Sequence, residues 1–187
     1  MLHHRKSGCL TRFMTVLEET IPSHAADIAK AYQLRSVNDD EAAWPLILDF
    51  ATDINYKATT QEYAAAWPAT AYQYRFKEPN PWTGPWEGYA THVLDVAYLF
   101  MNYDHSLTPS RRQKAVELAT DVIRFINGKP PFQQYDERSM FVKEYISEDG
   151  EANSKDKRRN RDAIWPELFS RIGFDTALSV WTQFFVG

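Results

Sequence analysis

The sequence predicts an α/β chain dominated by helices, with two or so short strands. Side chains alternate over residues 71–76 and again over 141–146, which is the two-residue period of a pleated strand. Elsewhere apolar residues recur at spacings of three and four, the period of a helix with one buried face. Proline and glycine clusters at 79–88 and 128–131 separate the two patterns. A length of 187 residues fits one domain over 1–187 and is enough to bury a core.

Taken in order, residues 1–20 read as polar and poorly ordered, with weak amphipathicity around Phe13, Val16 and Leu17. Pro22 and Ser23 open a short helix through Ala25, Ile28, Ala29 and Tyr32. Asn38, Asp39 and Asp40 supply capping oxygens and negative charge for a helix carrying Trp44, Leu46, Ile47, Phe50 and Ala51. Thr59 or Thr60 is expected to cap a third helix ending near Trp67-Pro68. After the strand over 71–76, the segment Pro79 to Gly88 reads as a loop bearing Trp82 and Trp86. Val93, Val96, Ala97 and Phe100 then predict the buried stripe of another helix.

The clearest helix follows. Thr108 is placed to cap it, Pro109 suits its first position, and Gly128 suits a left-handed stop. Its predicted stripe is Ala115, Leu118, Ala119, Val122 and Ile126. Phe141, Lys143 and Tyr145 alternate with Val142, Glu144 and Ile146 as the second strand. Residues 147–162 are expected to form a charged linker, and two helices around 164–171 and 176–185 close the chain.

Composition excludes several classes of function. A net charge of −4 offers no footprint for nucleic acid. The basic run of Lys155, Lys157, Arg158, Arg159 and Arg161 adjoins an acidic one, so their fields largely cancel beyond about 8 Å. No run of eighteen apolar residues is present, so no membrane partner is expected. Cys9 is alone, which excludes an internal disulfide. His3-His4 binds metal adventitiously at most, no ligand set is spaced for a metal site, and no glycine-rich phosphate loop implies a nucleotide. The expectation is no metal and no cofactor.

One stretch, residues 69–103, reads ATAYQYRFKEPNPWTGPWEGYATHVLDVAYLFMNY and places His92 where a loop following a strand enters a helix. Tyr74-Arg75-Phe76, Pro79-Asn80-Pro81-Trp82, Gly88, and His92-Val93-Leu94-Asp95 leading into Tyr98-Leu99-Phe100 resemble the histidine region of type-B carboxylesterases. That α/β-hydrolase family includes the cholinesterases, and the nearest likeness is to its fungal members. More loosely, the likeness extends from about Ile21 to the end of the chain. It implies a partial α/β-hydrolase fold, and it assigns His92 the role of general base in a serine-histidine-acid triad acting on a carboxylic ester. It also implies a secreted complete enzyme. Residues 1–13 hold no apolar run long enough for a signal peptide, so the chain translated as given would be cytoplasmic.

The other parts of that machinery do not occur in the sequence. No glycine flanks a serine at two residues on both sides, so there is no G-x-S-x-G elbow, and no HGGG-type run is present for an oxyanion hole. The family's acid lies further upstream of the histidine than the 91 residues available. Asp95 is a candidate support. It shares a helical face with His92 if the helix starts early; otherwise it belongs to the structural part of the motif. Asp53 reads as structural and Glu87 as exposed loop. Trp82 and Trp86 line an acyl or leaving-group pocket or anchor the histidine loop, anchoring being the reading favoured.

The expectation is therefore the C-terminal part of a serine carboxylesterase, truncated before its nucleophile and inactive alone. Its rival is a non-catalytic helical interaction module derived from the hydrolase fold. Self-association through an exposed sheet edge is expected in either case.

Overall fold

The computed structural model describes residues 7–136, 138, 141–155 and 164–186, with side chains described from 168 in the last segment. The chain is dominated by helices and carries two short parallel strands. It divides into two compact units, one from residues 1–62 and 158–187 and the other from 63–157.

In the first unit, α1 (Cys9–Thr20), α2 (Ala25–Ala31), α3 (Asp40–Thr52), α8 (Ile164–Ile172) and α9 (Phe174–Val186) share one core. The α1 helix corrects the expectation of irregular chain up to residue 20. It buries Cys9, Phe13 and Leu17, one residue per turn. So thin a stripe gives little local signal, and its stability comes from the partners it meets. Phe13 packs edge-on against Phe50 at 5.2 Å and Phe184 at 5.1 Å. Asp40 holds its first turn, accepting hydrogen bonds from the backbone N–H of Gly8 at 2.5 Å and Leu10 at 3.0 Å.

Asp39 caps α3 as the sequence predicts, its carboxylate accepting from Ala42 N–H at 2.8 Å. Thr59 and Thr60 do not cap a new helix. The chain passes from α3 through a π-helical stretch, Asp53–Ala58, into α4 (Thr59–Ala66) without leaving helical geometry. With no helix start to cap, the two hydroxyls donate to carbonyls of the preceding turn, those of Ile54 and Tyr56. Asp53 is structural: it is buried and accepts a hydrogen bond from the Tyr32 hydroxyl at 2.9 Å.

The second unit contains β1 (Tyr74–Phe76), α5 (Leu94–Leu99), α6 (Pro109–Ile126), β2 (Lys143–Tyr145) and α7 (Glu148–Asn153). The strands run parallel, pairing Tyr74 with Lys143, Arg75 with Glu144 and Phe76 with Tyr145. Backbone bonds from Lys143 to Gln73 and from Lys77 to Tyr145, both 2.9 Å, close the ladder at its two ends. Both strands are shorter than their alternating patterns.

The cap and stop of α6 are as predicted. Thr108 Oγ1 accepts from Arg111 N–H, Pro109 opens the helix, and Gly128 turns with φ 69°. Its buried face differs at both ends: Arg111 joins Ala115 and Leu118, while Ile126 is 74% exposed.

The predicted face of α5 is also corrected. Leu94 and Tyr98 are buried, whereas Val93, Val96 and Phe100 are exposed. The two sets share the same spacing and differ by one residue, so periodicity alone does not choose between them. The choice is made by packing, because Tyr98 meets the Phe76 ring edge-on at 5.1 Å. Residues 148–153, assigned to a charged linker, form α7, capped by Ser147 Oγ accepting from Gly150 N–H at 2.9 Å. Residues 156–162 of that linker, with Lys157, Arg158, Arg159 and Arg161, lie outside the described residues.

Candidate functional site at the carboxyl end of the strand pair

Open parallel sheets present chemistry beyond the carboxyl ends of their strands. Here that region is built on Glu78, two residues past β1 and fully buried. Its Oε2 accepts from Ser147 N–H at 2.6 Å, its Oε1 accepts from the Ser147 hydroxyl at 2.9 Å, and Arg111 Nε lies 3.2 Å from Oε1. The Arg111 Nε–H makes no well-aimed hydrogen bond, so charge rather than geometry holds that pair. One carboxylate thus ties together the ends of both strands and the starts of α6 and α7. Gly150 is required beside it, because a Cβ there would stand about 2.5 Å from Glu78 Oε1. The Tyr98 hydroxyl is buried nearby. Burial, and then the negative charge of Glu78, push its phenol pKa well up, so it stays protonated.

After Glu78 in the chain, the loop to α5 closes on itself. Asn80 N–H donates to the Tyr89 carbonyl and Gly88 N–H to the Asn80 carbonyl, each at 2.9 Å, and Trp82 N–H donates to Asn80 Oδ1 at 2.9 Å. Gly88, at φ 85°, is overlain by the Lys155 side chain, and Lys155 N–H donates to the Gly88 carbonyl at 2.8 Å. Trp82 is half-buried against the core of this unit, with its ring 5.3 Å from that of Tyr103. Trp82 thus packs from the loop onto that core. Trp86, at 56% exposure, stands out from it.

His92 follows this loop, exposed, on the turn that precedes α5. Val93, with φ 68°, is the residue from which the helix starts. The helix begins at Leu94, so His92 lies outside it and the shared helical face with Asp95 does not form. Asp95 is half-buried and Oδ2 accepts from the Tyr74 hydroxyl at 3.3 Å. The Tyr74 phenol pKa is raised by burial first and then by the charge and hydrogen bond of Asp95. Asp95 thus serves strand-to-helix packing.

A separate groove of about 340 Å³ in the same unit is lined by Ala64, Ala65, Trp67, residues 69–71 and residues 134–136. His92, Trp82 and Trp86 are not part of it. Among the described residues no three His, Cys, Asp or Glu side chains converge on a metal position, and no helix is long and apolar enough to cross a membrane.

The sequence reading missed Glu78, Arg111 and Ser147. A signal existed for two of them. Arg111 stands four residues before Ala115 and seven before Leu118, on the buried stripe of α6. Ser147 precedes Glu148-Asp149 as a helix cap would. Comparison with protein-family models, with curated proteins and with solved structures finds no match.

Proposed function

We propose that these residues form the C-terminal portion of a type-B carboxylesterase-like serine hydrolase, with His92 as its general base, and that alone they hydrolyse no ester. The observation carrying this reading is the setting of His92. It is an exposed imidazole on the turn between a hydrogen-bonded loop that follows β1 and the start of α5, within the residues that resemble the family's histidine motif. In the complete enzyme, a serine hydroxyl would attack a carboxylic ester while His92 took its proton and later returned it to the leaving alcohol. Neither that serine elbow nor the acid partner occurs in the sequence, so no acyl-enzyme can form through it. The two parallel strands support membership of a larger sheet, because a two-stranded ladder alone is marginal. A secreted complete enzyme belongs to the same reading.

A second reading, a helical interaction module built on a hydrolase remnant, is favoured by the apolar side chains left exposed. Phe100 on the α5 side and Ile123 and Ile126 on α6 are each more than half exposed. Apolar side chains gathered in one patch mark contact with another protein, and open strand edges pair with another copy.

Long-read sequencing of transcripts separates the two. The esterase reading expects an in-frame upstream segment encoding a G-x-S-x-G elbow, and a longer product that reacts with a fluorophosphonate probe and loses that reactivity on His92→Ala. An in-frame stop directly upstream of Met1, or a longer product that the probe does not label, would overturn it.

A further inference from the structure

We infer that Val93 is a positioning residue for His92, its left-handed backbone being what keeps the imidazole out of the first turn of α5. The inference rests on the proposed role of His92 for its functional meaning. Val93 has φ 68° and ψ 1°. A β-branched residue is a true outlier there, since its Cβ crowds the following carbonyl. Nothing in the side chain's surroundings rewards the strain, because Val93 is 51% exposed and belongs to no buried core. Glycine would accept the same backbone freely.

The consequence is local and specific. A right-handed Val93 would let α5 start a residue or more earlier and bring His92 onto the helix, one turn from Asp95. The left-handed corner stops the helix at Leu94 and leaves Asp95 to the Tyr74 hydroxyl. Strained backbone held by a well-tied surround is a recurrent feature of functional sites. Here the surround is the closed loop over 80–89 on one side and the buried Leu94 and Tyr98 on the other.

The test compares Val93→Gly and Val93→Asn with the unaltered chain by thermal unfolding and by NMR of the histidine rings. Both residues tolerate a left-handed backbone. Val93→Gly is expected to raise Tm by about 2–4 °C through relief of strain. Because both residues keep the left-handed corner, the His92 ring resonances should stay as in the unaltered chain, while Val93→Pro, whose φ is locked at about −65°, should shift them and leave those of His24 and His105 unchanged. A Tm unchanged or lowered in both the Gly and Asn variants would overturn the strain, and His92 resonances unmoved in Val93→Pro would overturn the positioning. These outcomes do not depend on an upstream serine, so the esterase reading can fail while this inference stands.

Discussion

Glu78 and Arg111 form a buried ion pair at the carboxyl end of the strands, with 3.2 Å between Arg111 Nε and Glu78 Oε1 and both side chains under a tenth exposed. Breaking a buried pair leaves one charge without compensation, which costs about 3–5 kcal/mol. Glu78→Gln is therefore expected to destabilise the chain by about that amount in denaturant unfolding. Replacing both partners, Glu78→Gln with Arg111→Met, should recover a large part of the loss. A single variant within about 0.5 kcal/mol of the original would contradict the assignment.

Asp40 makes the docking of α1 sensitive to acid. Its carboxyl is held below the usual carboxylate range by hydrogen bonds from the Leu10 and Gly8 backbone N–H groups. A depressed folded-state pKa contributes stability above the unfolded value, 3.8, and that contribution disappears as pH falls through the folded value. Tm measured from pH 5 to pH 2 should decline less steeply in Asp40→Asn than in the unaltered chain. Parallel curves would remove Asp40 from the account.

Cys9 should be inert while the chain is folded. Burial, and then the neighbouring charge of Asp40, push its thiol up to about 11 from 9.0, and the thiolate is the reactive form. The raised value adds stability below pH 9 that is lost as pH rises toward 11. A disulfide reagent at pH 8 is expected to modify Cys9 only at the rate of unfolding. Immediate stoichiometric labelling would show the thiol to be accessible.

The two loop tryptophans should separate cleanly. Trp82→Ala removes a half-buried ring that touches Tyr103 and is expected to cost about 2 kcal/mol, less than the 3–5 of a fully buried ring. Trp86→Ala, at an exposed position, should stay within about 0.5 kcal/mol. Equal costs in equilibrium unfolding would contradict the different roles assigned to them.

What could be read from the sequence follows from how local each signal is. The ends of α6 were legible because Thr108, Pro109 and Gly128 act through their own backbone. The helix at Cys9–Thr20 was hidden because its three buried residues acquire meaning only against Phe50 and Phe184. The buried face of α5 was misread by one residue, since Leu94 and Tyr98 repeat with the same spacing as Val93 and Ala97. The continuous helix through Asp53–Ala58 had no signal, because threonines that bond backward along a helix are the same residues that cap one. At the candidate site, the loop and His92 could be located in advance. Glu78 could not, because its partners Arg111 and Ser147 lie far from it in the chain and meet it only in the folded unit.

His92 is proposed to be a general base whose nucleophile is absent from these residues. The most direct measurement is hydrolysis of a 4-nitrophenyl ester by the purified chain beside His92→Ala, with fluorophosphonate labelling of both. The account predicts identical background rates and no labelled serine. A turnover that labels a serine and vanishes in His92→Ala would contradict it.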